Sequence, residues 1–324
     1  MTHAMRIYET GGPEVLRWET VEVGDPAAGE IRVKHTACGL NFLDTYQRSG
    51  TYKMPLPMTL GMEAAGLVEA VGDGVTELKT GDRIAYGAGP PGGYSEARLI
   101  PAARVVALPD GIGDNQAAAM MLKGMTVRYL IRRTYKVQSG DTVLFHAAAG
   151  GVGLIACQWL KHLGATVIGT VGSDEKAALA KAHGCDHPIV YTRENFVERV
   201  KEITDGRGVP VVYDAVGLDT YADSMDCLAP FGMMVIFGNA SGMVPAIDPM
   251  TLSQKGSLYL TRPTLTTHAA TREGLVAGAN ELFDVVLKGV VKIEIDQTYP
   301  LAETAQAHRD LEARKTTGST VLLP

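Results

Sequence analysis

A strand–helix–strand pattern near the middle of the chain constrains its fold most. Apolar strands are predicted at 142–146 and 166–171, with a helical pattern between them and small residues at the first turn. Ala147, Gly150 and Gly153 follow one another at intervals of three residues in that turn. Residues without bulky side chains let backbone N–H groups and a helix N-terminus approach a pyrophosphate. The turn is therefore predicted to bind a dinucleotide, although a plain strand–helix connection would use the same glycines. The predicted contacts are Ala149, Gly150, Gly151, Val152 and Gly153.

The same alternation of strands and helices extends from residue 139 to about residue 262, which predicts a doubly wound parallel sheet of the Rossmann type. Its six predicted strands are 142–146, 166–171, 187–190, 210–214, 233–237 and 257–261. Before it, short strands separated by Gly, Pro and Asp turns predict a β-rich, barrel-like domain over 1–122. Helical patterns are predicted at 114–136 and 272–288. The predicted fold class is therefore α/β.

Composition excludes several function classes. The 324 residues carry a formal net charge of −6, so no basic surface indicates nucleic-acid binding. The chain contains no apolar run of about 18 residues, so no membrane span is predicted. The N-terminal residues are polar and lack a hydrophobic signal region. The four cysteines include no C-x-x-C pair. A reducing, cytoplasmic setting is the simplest interpretation.

The end of the second predicted strand decides the cofactor. NAD-specific sites place an acid about 20 residues after the glycines to hold the ribose 2′-OH, and this chain has Gly172 and Ser173 there. Gly172 leaves room for a 2′-phosphate and Ser173 offers a donor. Lys176 adds a point charge, Arg193 a planar fork and Tyr191 a hydroxyl. NADPH is therefore predicted rather than NADH, although Lys176 and Arg193 would also suit solvent-exposed positions.

Five segments carry a family resemblance: GGPEVL at 11–16, GLNFLDTYQRSG at 39–50, GMEAAG at 61–66, FHAAAGGVG at 145–153 and FGNASG at 237–242. With them the chain resembles the medium-chain dehydrogenase/reductase superfamily. Within it, the chain looks like the zinc-free, zeta-crystallin-like quinone oxidoreductases, over essentially its whole length. The resemblance implies a GroES-like catalytic domain made of 1–122 and 264–324 and a Rossmann domain at 123–263. It also implies a homodimer that reduces quinones with NADPH.

The zinc ligands of the superfamily's alcohol dehydrogenases are missing. Those enzymes bind their catalytic zinc through a Cys, a His and a second Cys. Asn41 stands at the first position and Met62 replaces the His of a Gly-His-Glu segment, while no cysteine lies between Cys38 and Cys157. An amide and a thioether are poor zinc ligands. No metal site is therefore predicted.

Without a metal, the substrate must accept hydride readily, as quinones and activated enones do. The site then needs a hydrogen-bond donor where negative charge develops on oxygen. Asn41 and Tyr46 are the predicted donors, and Tyr46 is also able to deliver a proton. Tyr52 lies on the same polar loop and is predicted to line the mouth of the site. The alternatives are a turn-forming role for Asn41 and core packing for Tyr46.

The resemblance implies further cofactor contacts. Lys123 and Thr126 are expected at the diphosphate or ribose, 237–240 beside the nicotinamide ribose, and 262–263 at the carboxamide through the backbone. Tyr129 is expected on the cofactor side, although its helical spacing also fits core packing. The complete implied set is Asn41, Phe42, Tyr46, Lys123, Thr126, Tyr129, Phe237, Gly238, Asn239, Ala240, Arg262 and Pro263.

Three functions remain open from the sequence. The leading one is an NADPH:quinone oxidoreductase, whose substrate is a small-molecule quinone. The second is an NADPH-dependent reductase of enal or enone double bonds, which the size of the acceptor pocket would distinguish. The third is a non-catalytic NADPH-binding protein. The apolar strand at 257–261 is predicted either to pair in a homodimer or to be a covered edge.

Overall fold

The structure, a computed structural model, describes all 324 residues. They form two compact units. Unit 1 comprises Met1–Met125, His268–Leu287 and Ile293–Pro324, and unit 2 comprises Thr126–Thr267 and Lys288–Lys292. These units differ from the predicted domains by a few residues at each main boundary and by the segment Lys288–Lys292, which lies in unit 2. None of the helices is both long and apolar enough to span a membrane.

Sixteen strands and ten α-helices are numbered along the chain. The strands are β1 (Thr2–Ile7), β2 (Arg17–Val21), β3 (Glu30–Leu40), β4 (Met58–Thr59), β5 (Glu63–Val71), β6 (Arg83–Tyr86), β7 (Ala97–Pro101), β8 (Val106–Ala107), β9 (Thr142–Phe145), β10 (Thr166–Val171), β11 (His187–Val190), β12 (Val209–Asp214), β13 (Leu228–Ile236), β14 (Tyr259–Thr261), β15 (Ile295–Pro300) and β16 (Ser319–Leu323). The helices are α1 (Phe42–Ser49), α2 (Asp114–Tyr129), α3 (Gly151–His162), α4 (Asp174–Ala182), α5 (Phe196–Ile203), α6 (Tyr221–Asp226), α7 (Pro249–Gln254), α8 (Leu265–His268), α9 (Arg272–Leu287) and α10 (Thr304–Glu312).

Unit 1 is built on two sheets. A seven-stranded sheet has the order β15-β16-β3-β5-β6-β8, with β7 also paired to β3, and a three-stranded sheet has the order β2-β1-β4. Residues on β3 alternate between buried and more exposed positions along its first half, as expected for a strand with one face on a core. The largest fully buried side chains of this core include Tyr86, Tyr94 and Ile31.

Unit 2 contains a six-stranded parallel sheet of order β11-β10-β9-β12-β13-β14. Strand order reverses between β9 and β12, where the carboxyl ends of parallel strands create a ligand-binding edge in such folds. The central strands β9 and β12 are largely apolar because helices cover both faces of a doubly wound sheet. The predicted α/β fold with a Rossmann-type sheet is confirmed.

Three predicted bounds are corrected by the structure. The strand predicted at 233–237 begins at Leu228, because its first residues already pair with β12. The strand predicted at 257–261 begins at Tyr259, because Ser257 has a φ of 57° and leaves the extended conformation. The helix predicted at 114–136 is α-helical only to Tyr129 and continues as a π-helix over Leu130–Thr134.

Candidate functional site

The glycine-rich turn after β9 presents backbone donors in unit 2. Helix α3 begins at Gly151, and its N-cap residue, Gly150, supplies no capping side chain. The first N–H groups of a helix have no acceptor within the helix. Together with the helix dipole they form a natural binding site for a phosphate. The predicted pyrophosphate contacts at Ala149–Gly153 therefore lie at a helix start suited to that role.

Close packing explains why this turn needs small residues. A Cβ on Gly153 would overlap the carbonyl oxygen of Ala147 and lie 2.6 Å from the carbonyl carbon of Ala148. Ala147 itself has a φ of 56°, in the left-handed region that disfavours larger side chains. At Gly150 an added Cβ would lie 3.3 Å from the Ala147 oxygen, which is tight but less severe. The turn thus packs so tightly on its own backbone that position 153 has no room for a side chain.

The five residues predicted to bind a 2′-phosphate lie on the loops that follow β10 and β11 and, in the case of Lys176, on the first turn of α4. A Cβ on Gly172 would be 3.0 Å from the Tyr191 hydroxyl, so these two positions are brought together. The Ser173 hydroxyl caps α4 by accepting the N–H of Lys176 at 3.3 Å. Arg193 donates to the Asp174 carboxylate at 2.6 Å. This ion pair joins residues 19 positions apart and was not predicted from the sequence.

The segment predicted to pass the nicotinamide ribose follows β13. The N–H groups of Phe237 and Ala240 donate to the carbonyl oxygens of Asp214 and Ala215, at 2.8 and 3.2 Å. A Cβ on Gly238 would overlap the Ala215 carbonyl oxygen, so this position requires glycine. Asn239 is 6% exposed. The segment is therefore fixed against the loop that follows β12.

Asn41 occupies the start of helix α1 in unit 1. It is the N-cap residue, and its backbone N–H donates to the Asp44 carboxylate at 2.9 Å. Its side-chain amide donates to Glu63 at 2.8 Å, with a longer contact of 3.5 Å to the carbonyl oxygen of Gly39. The side chain of Asn41 is thus held by an acid from a neighbouring strand.

Glu63 is the centre of this buried polar cluster. Its carboxylate is fully buried and accepts from the Lys123 ammonium at 3.0 Å and from the Leu122 N–H at 2.7 Å, in addition to Asn41. Lys123 is only 6% exposed. A charge so deeply buried requires a partner. Sequence reasoning missed the role of Glu63, although a glutamate within the apolar run after Gly61 signals a buried partner.

Three aromatic rings on α1 and the loop that follows it form a chain of contacts. The ring centroids of Phe42 and Tyr46 are 6.2 Å apart, and those of Tyr46 and Tyr52 are 5.3 Å apart. The Tyr52 N–H also donates to the Tyr46 carbonyl oxygen at 3.0 Å. All three residues are partly buried. The structure thus groups the predicted aromatic site residues in one place.

A second network fixes the other side of α1. Tyr94 donates to Asp44 at 2.6 Å, His308 lies 3.4 Å from the Tyr94 hydroxyl, and Arg48 lies 2.9 Å from His308. Arg48 also pairs with Glu312 at 2.6 Å. Burial raises the pKa of Asp44 to about 7 and lowers the pKa of His308 to about 3. None of the residues behind Asp44 was singled out by sequence reasoning.

The donor set near Asn41 does not fit a zinc site. No group of three or more His, Cys, Asp or Glu side chains in the chain is arranged to hold a metal ion. The Asn41 amide nitrogen already donates to Glu63, and Met62 offers only a thioether. Burial strongly raises the pKa of the Cys38 thiol, which disfavours the thiolate that binds zinc.

The remaining predicted cofactor residues lie in unit 2. Thr126 and Tyr129 are on α2, and are 7% and 3% exposed. Arg262 and Pro263 directly follow the edge strand β14. The cofactor roles of these residues, and those of Lys123 and the other residues above, stay predictions.

Two protein-family models match the chain. The alcohol dehydrogenase GroES-like domain matches residues 27–110, and the zinc-binding dehydrogenase domain matches residues 151–279. The first match confirms the predicted GroES-like character of the β-rich region. The second carries zinc in its name, whereas the residues present here do not fit a zinc site.

Several full-length relatives are known. A quinone oxidoreductase of Pseudomonas aeruginosa is 57% identical over 97% of both chains. A 2-haloacrylate reductase of a Burkholderia species is 46% identical over 100% of this chain and 99% of its own. The crystal structure of Escherichia coli quinone oxidoreductase complexed with NADPH superposes with a TM-score of 0.98 at 50% identity, over 99% of this chain and 100% of that one. The chain therefore belongs to the quinone oxidoreductase family of the medium-chain dehydrogenase/reductase superfamily.

Proposed function

We propose that this protein is an NADPH:quinone oxidoreductase that transfers hydride directly, without zinc. The observation that carries the proposal is the full-length likeness to the NADPH complex of the E. coli quinone oxidoreductase. Fold alone would not suffice, because this fold serves many reactions. Here the likeness extends to 50% sequence identity.

The residues of unit 2 fit a dinucleotide. The N–H groups at the start of α3 would hold the pyrophosphate, and the absence of a side chain at Gly153 lets the backbone come close. Ser173, Lys176 and Arg193 would hold the 2′-phosphate. The segment after β13 would lie along the nicotinamide ribose. When bound, the reduced nicotinamide supplies the hydride.

The residues of unit 1 would stabilise the reduced acceptor. A quinone that gains a hydride becomes a hydroquinone anion, and one proton completes the hydroquinone. One of the two amide hydrogens of Asn41 donates to Glu63 and orients that side chain. The other amide hydrogen of Asn41 and the Tyr46 hydroxyl are the proposed donors to the developing oxyanion, and the Lys123 ammonium adds positive charge nearby. Glu63 keeps Lys123 in place and compensates its charge.

The proposal is tested by following NADPH and NADH oxidation after chelator treatment. The acceptors are a benzoquinone, a bulky ortho-quinone, a simple enone and a 2-haloacrylate. Fast turnover of a quinone with NADPH that survives the chelator supports the proposal. Turnover confined to the enone or the haloacrylate would instead assign a double-bond reductase, the function favoured by the 46% identical relative. Tight NADPH binding without turnover of any acceptor would favour a non-catalytic role.

We also propose that the protein is a homodimer formed through β14. This strand is at the edge of the parallel sheet, and Tyr259 and Leu260 are 59% and 37% exposed. Phe231, whose N–H bonds to the turn before β14, is 70% exposed. An exposed apolar edge strand is a template for pairing with another chain. Light scattering should give a dimer for the native protein and for Leu67→Asp, an equally exposed leucine in unit 1, but a monomer for Leu260→Asp.

The proposed location is the cytoplasm. All four cysteines, Cys38, Cys157, Cys185 and Cys227, are free and buried. Free thiols are typical of reducing compartments. Fractionation of cells that express the tagged protein from its own gene tests this assignment.

A further inference from the structure

An exposed ion pair joins two loops beside the proposed 2′-phosphate site. Arg193, after β11, donates to the carboxylate of Asp174, the first residue of α4, at 2.6 Å. The two side chains are 56% and 67% exposed. The loops also meet where the Thr192 hydroxyl donates to the Gly172 carbonyl oxygen at 3.4 Å. Arg193 therefore has an intramolecular anion in place of an incoming phosphate.

Several other charges surround this pair. Glu175 is bonded to the Ser173 hydroxyl. Glu194 lies 4.0 Å from Nε of Arg193 and is closer, at 3.2 Å, to Nε of Arg199. Asp174 is thus the main anionic partner of Arg193. It stands on the same turn as Ser173 and Lys176, which belong to the proposed phosphate site.

We propose that Asp174 competes with the cofactor's 2′-phosphate for Arg193, and that it thereby sets how strongly the protein prefers NADPH over NADH. The inference rests on the NADPH-dependent function proposed above. A phosphate monoester carries about −1.5 to −2 charges near neutral pH and accepts both arms of a guanidinium, so it displaces a single carboxylate. NADH has a hydroxyl there and leaves the Arg193–Asp174 pair intact.

Replacing Asp174 by a phosphate as the partner of Arg193 costs little free energy, because the ion pair is exposed to water. Ion pairs in contact with water contribute little to stability and are screened by salt. Asp174 therefore weakens NADPH binding moderately and leaves NADH binding nearly unchanged. Without it, Arg193 would be fully available to the phosphate, and the selectivity for NADPH would rise.

The test compares Asp174→Asn with the native protein in binding experiments without quinone. Dissociation constants for NADPH, NADH and 2′,5′-ADP are measured by fluorescence or calorimetry at low ionic strength. We expect NADPH and 2′,5′-ADP to bind about 3- to 5-fold more tightly, the upper part of the range for one exposed charge pair. NADH binding should stay within about twofold. The gain should shrink at high salt.

The matched control is Asp205→Asn. Asp205 is also an exposed acid paired with an arginine, Arg207 at 3.6 Å. It precedes β12 and so lies at the amino edge of the sheet, whereas Asp174 follows the carboxyl end of β10. Both substitutions remove one negative charge. A gain equal to that of Asp205→Asn would reflect net charge alone and overturn the proposal.

Arg193→Gln provides the second test. It should weaken NADPH binding at least about 10-fold, as expected for loss of a charge-assisted contact. In that background, Asp174→Asn should add no gain beyond the control, because Asp174 acts through Arg193. A full gain there would mean direct repulsion of the phosphate and would refute the competition. Binding is measured without an electron acceptor, so the two proposals are tested separately. If the dissociation constants shift as expected but the protein reduces no quinone, the proposed reaction is rejected and this inference stands.

Discussion

Asp214→Asn should lower both the unfolding free energy and the affinity for NADPH. Asp214 ends β12 and is fully buried. One carboxylate oxygen accepts the N–H groups of Val216 and Gly217, at 2.7 and 2.9 Å. The other accepts the hydroxyls of Thr220 and Ser224, at 2.7 and 3.2 Å. A single buried carboxylate thus satisfies four donors.

The donor and acceptor roles in these hydrogen bonds also determine those of His146. Because Ser224 donates to Asp214, its oxygen accepts from Nε2 of His146, at 2.8 Å. The other ring nitrogen then accepts from the Thr170 hydroxyl, also at 2.8 Å. Burial lowers the pKa of His146, so the ring stays neutral. The carboxylate therefore fixes the histidine tautomer two bonds away.

Asparagine preserves the shape but reverses part of this network. Its oxygen can keep the two backbone donors, but its NH2 group faces two hydroxyls that must turn to accept. Hydrogen bonds to a charged group contribute about 1.5–3 kcal/mol and neutral ones about 1 kcal/mol. Four weakened contacts, partly offset by no longer burying a charge, predict a loss of about 2–4 kcal/mol in unfolding free energy.

Chemical denaturation measures this loss, with Asp219→Asn, an exposed acid of the same loop, as the control. NADPH affinity should fall as well, because Gly217 bridges to Gly242 beside the predicted nicotinamide segment. An unfolding free energy within about 0.5 kcal/mol of the native value, the range of ordinary surface substitutions, would refute the network. So would a loss as large for Asp219→Asn.

Three further sets of substitutions have expected outcomes. Gly153→Ala should weaken NADPH binding by about 10-fold or more, whereas Gly150→Ala should have a smaller effect because its added Cβ is tight, at 3.3 Å from the Ala147 oxygen, but does not overlap it. Both variants are titrated with NADPH, and equal losses of affinity would contradict the close-packing argument. Glu63→Gln should lower the unfolding free energy by about 3 kcal/mol, because it leaves the buried Lys123 ammonium without its counter-charge. Adding Lys123→Met should restore part of that loss. If denaturant titrations show no restoration, the unpaired charge was not the cause of the loss. Burial lowers the pKa of His308 to about 3, so between pH 6.5 and 3 the unfolded chain binds a proton that the folded chain does not, and stability falls as pH falls. His308→Gln should make the slope of unfolding free energy against pH shallower by about 1.4 kcal/mol per pH unit between pH 6 and 4. Parallel slopes for the two proteins would disprove a neutral His308.

Much of unit 2 could be predicted because its signals are local. The strand at 166–171 matches the structure because a mostly apolar run between helices indicates a buried parallel strand, and the strand at 187–190 matches as well, although only its last two residues are buried. The π-helical end of α2 could not be predicted. The carbonyl oxygen of Leu130 accepts the N–H of Tyr135 at 3.1 Å and the Tyr213 hydroxyl at 3.4 Å, and that second donor comes from a distant strand.

In the candidate site, too, local contacts could be predicted from the sequence and long-range contacts could not. The cap at Asn41 and Asp44 spans one helical turn and is visible in the sequence. The partnership of Glu63 with Lys123 joins positions 60 residues apart, which no periodicity reports. Its only sequence signal is that each charge lies in an apolar run, and charges buried in such runs must find one another. Chemistry thus predicts that a partner exists, while topology decides which one.

In the hydrogen-bond network behind Asp44, the structure fixes which atom donates in each bond as well as which residues are in contact. Arg48 has no acceptor atoms, so it can only donate to Nδ1 of His308. The proton of the neutral ring then lies on Nε2 and faces the Tyr94 hydroxyl, which in turn donates to Asp44. Each of these three hydrogen bonds, from Arg48 through His308 and Tyr94, therefore points toward the Asp44 carboxylate, which accepts the Asn41 N–H. Residues more than 200 positions apart therefore orient one end of α1, and only the fold reveals that they do.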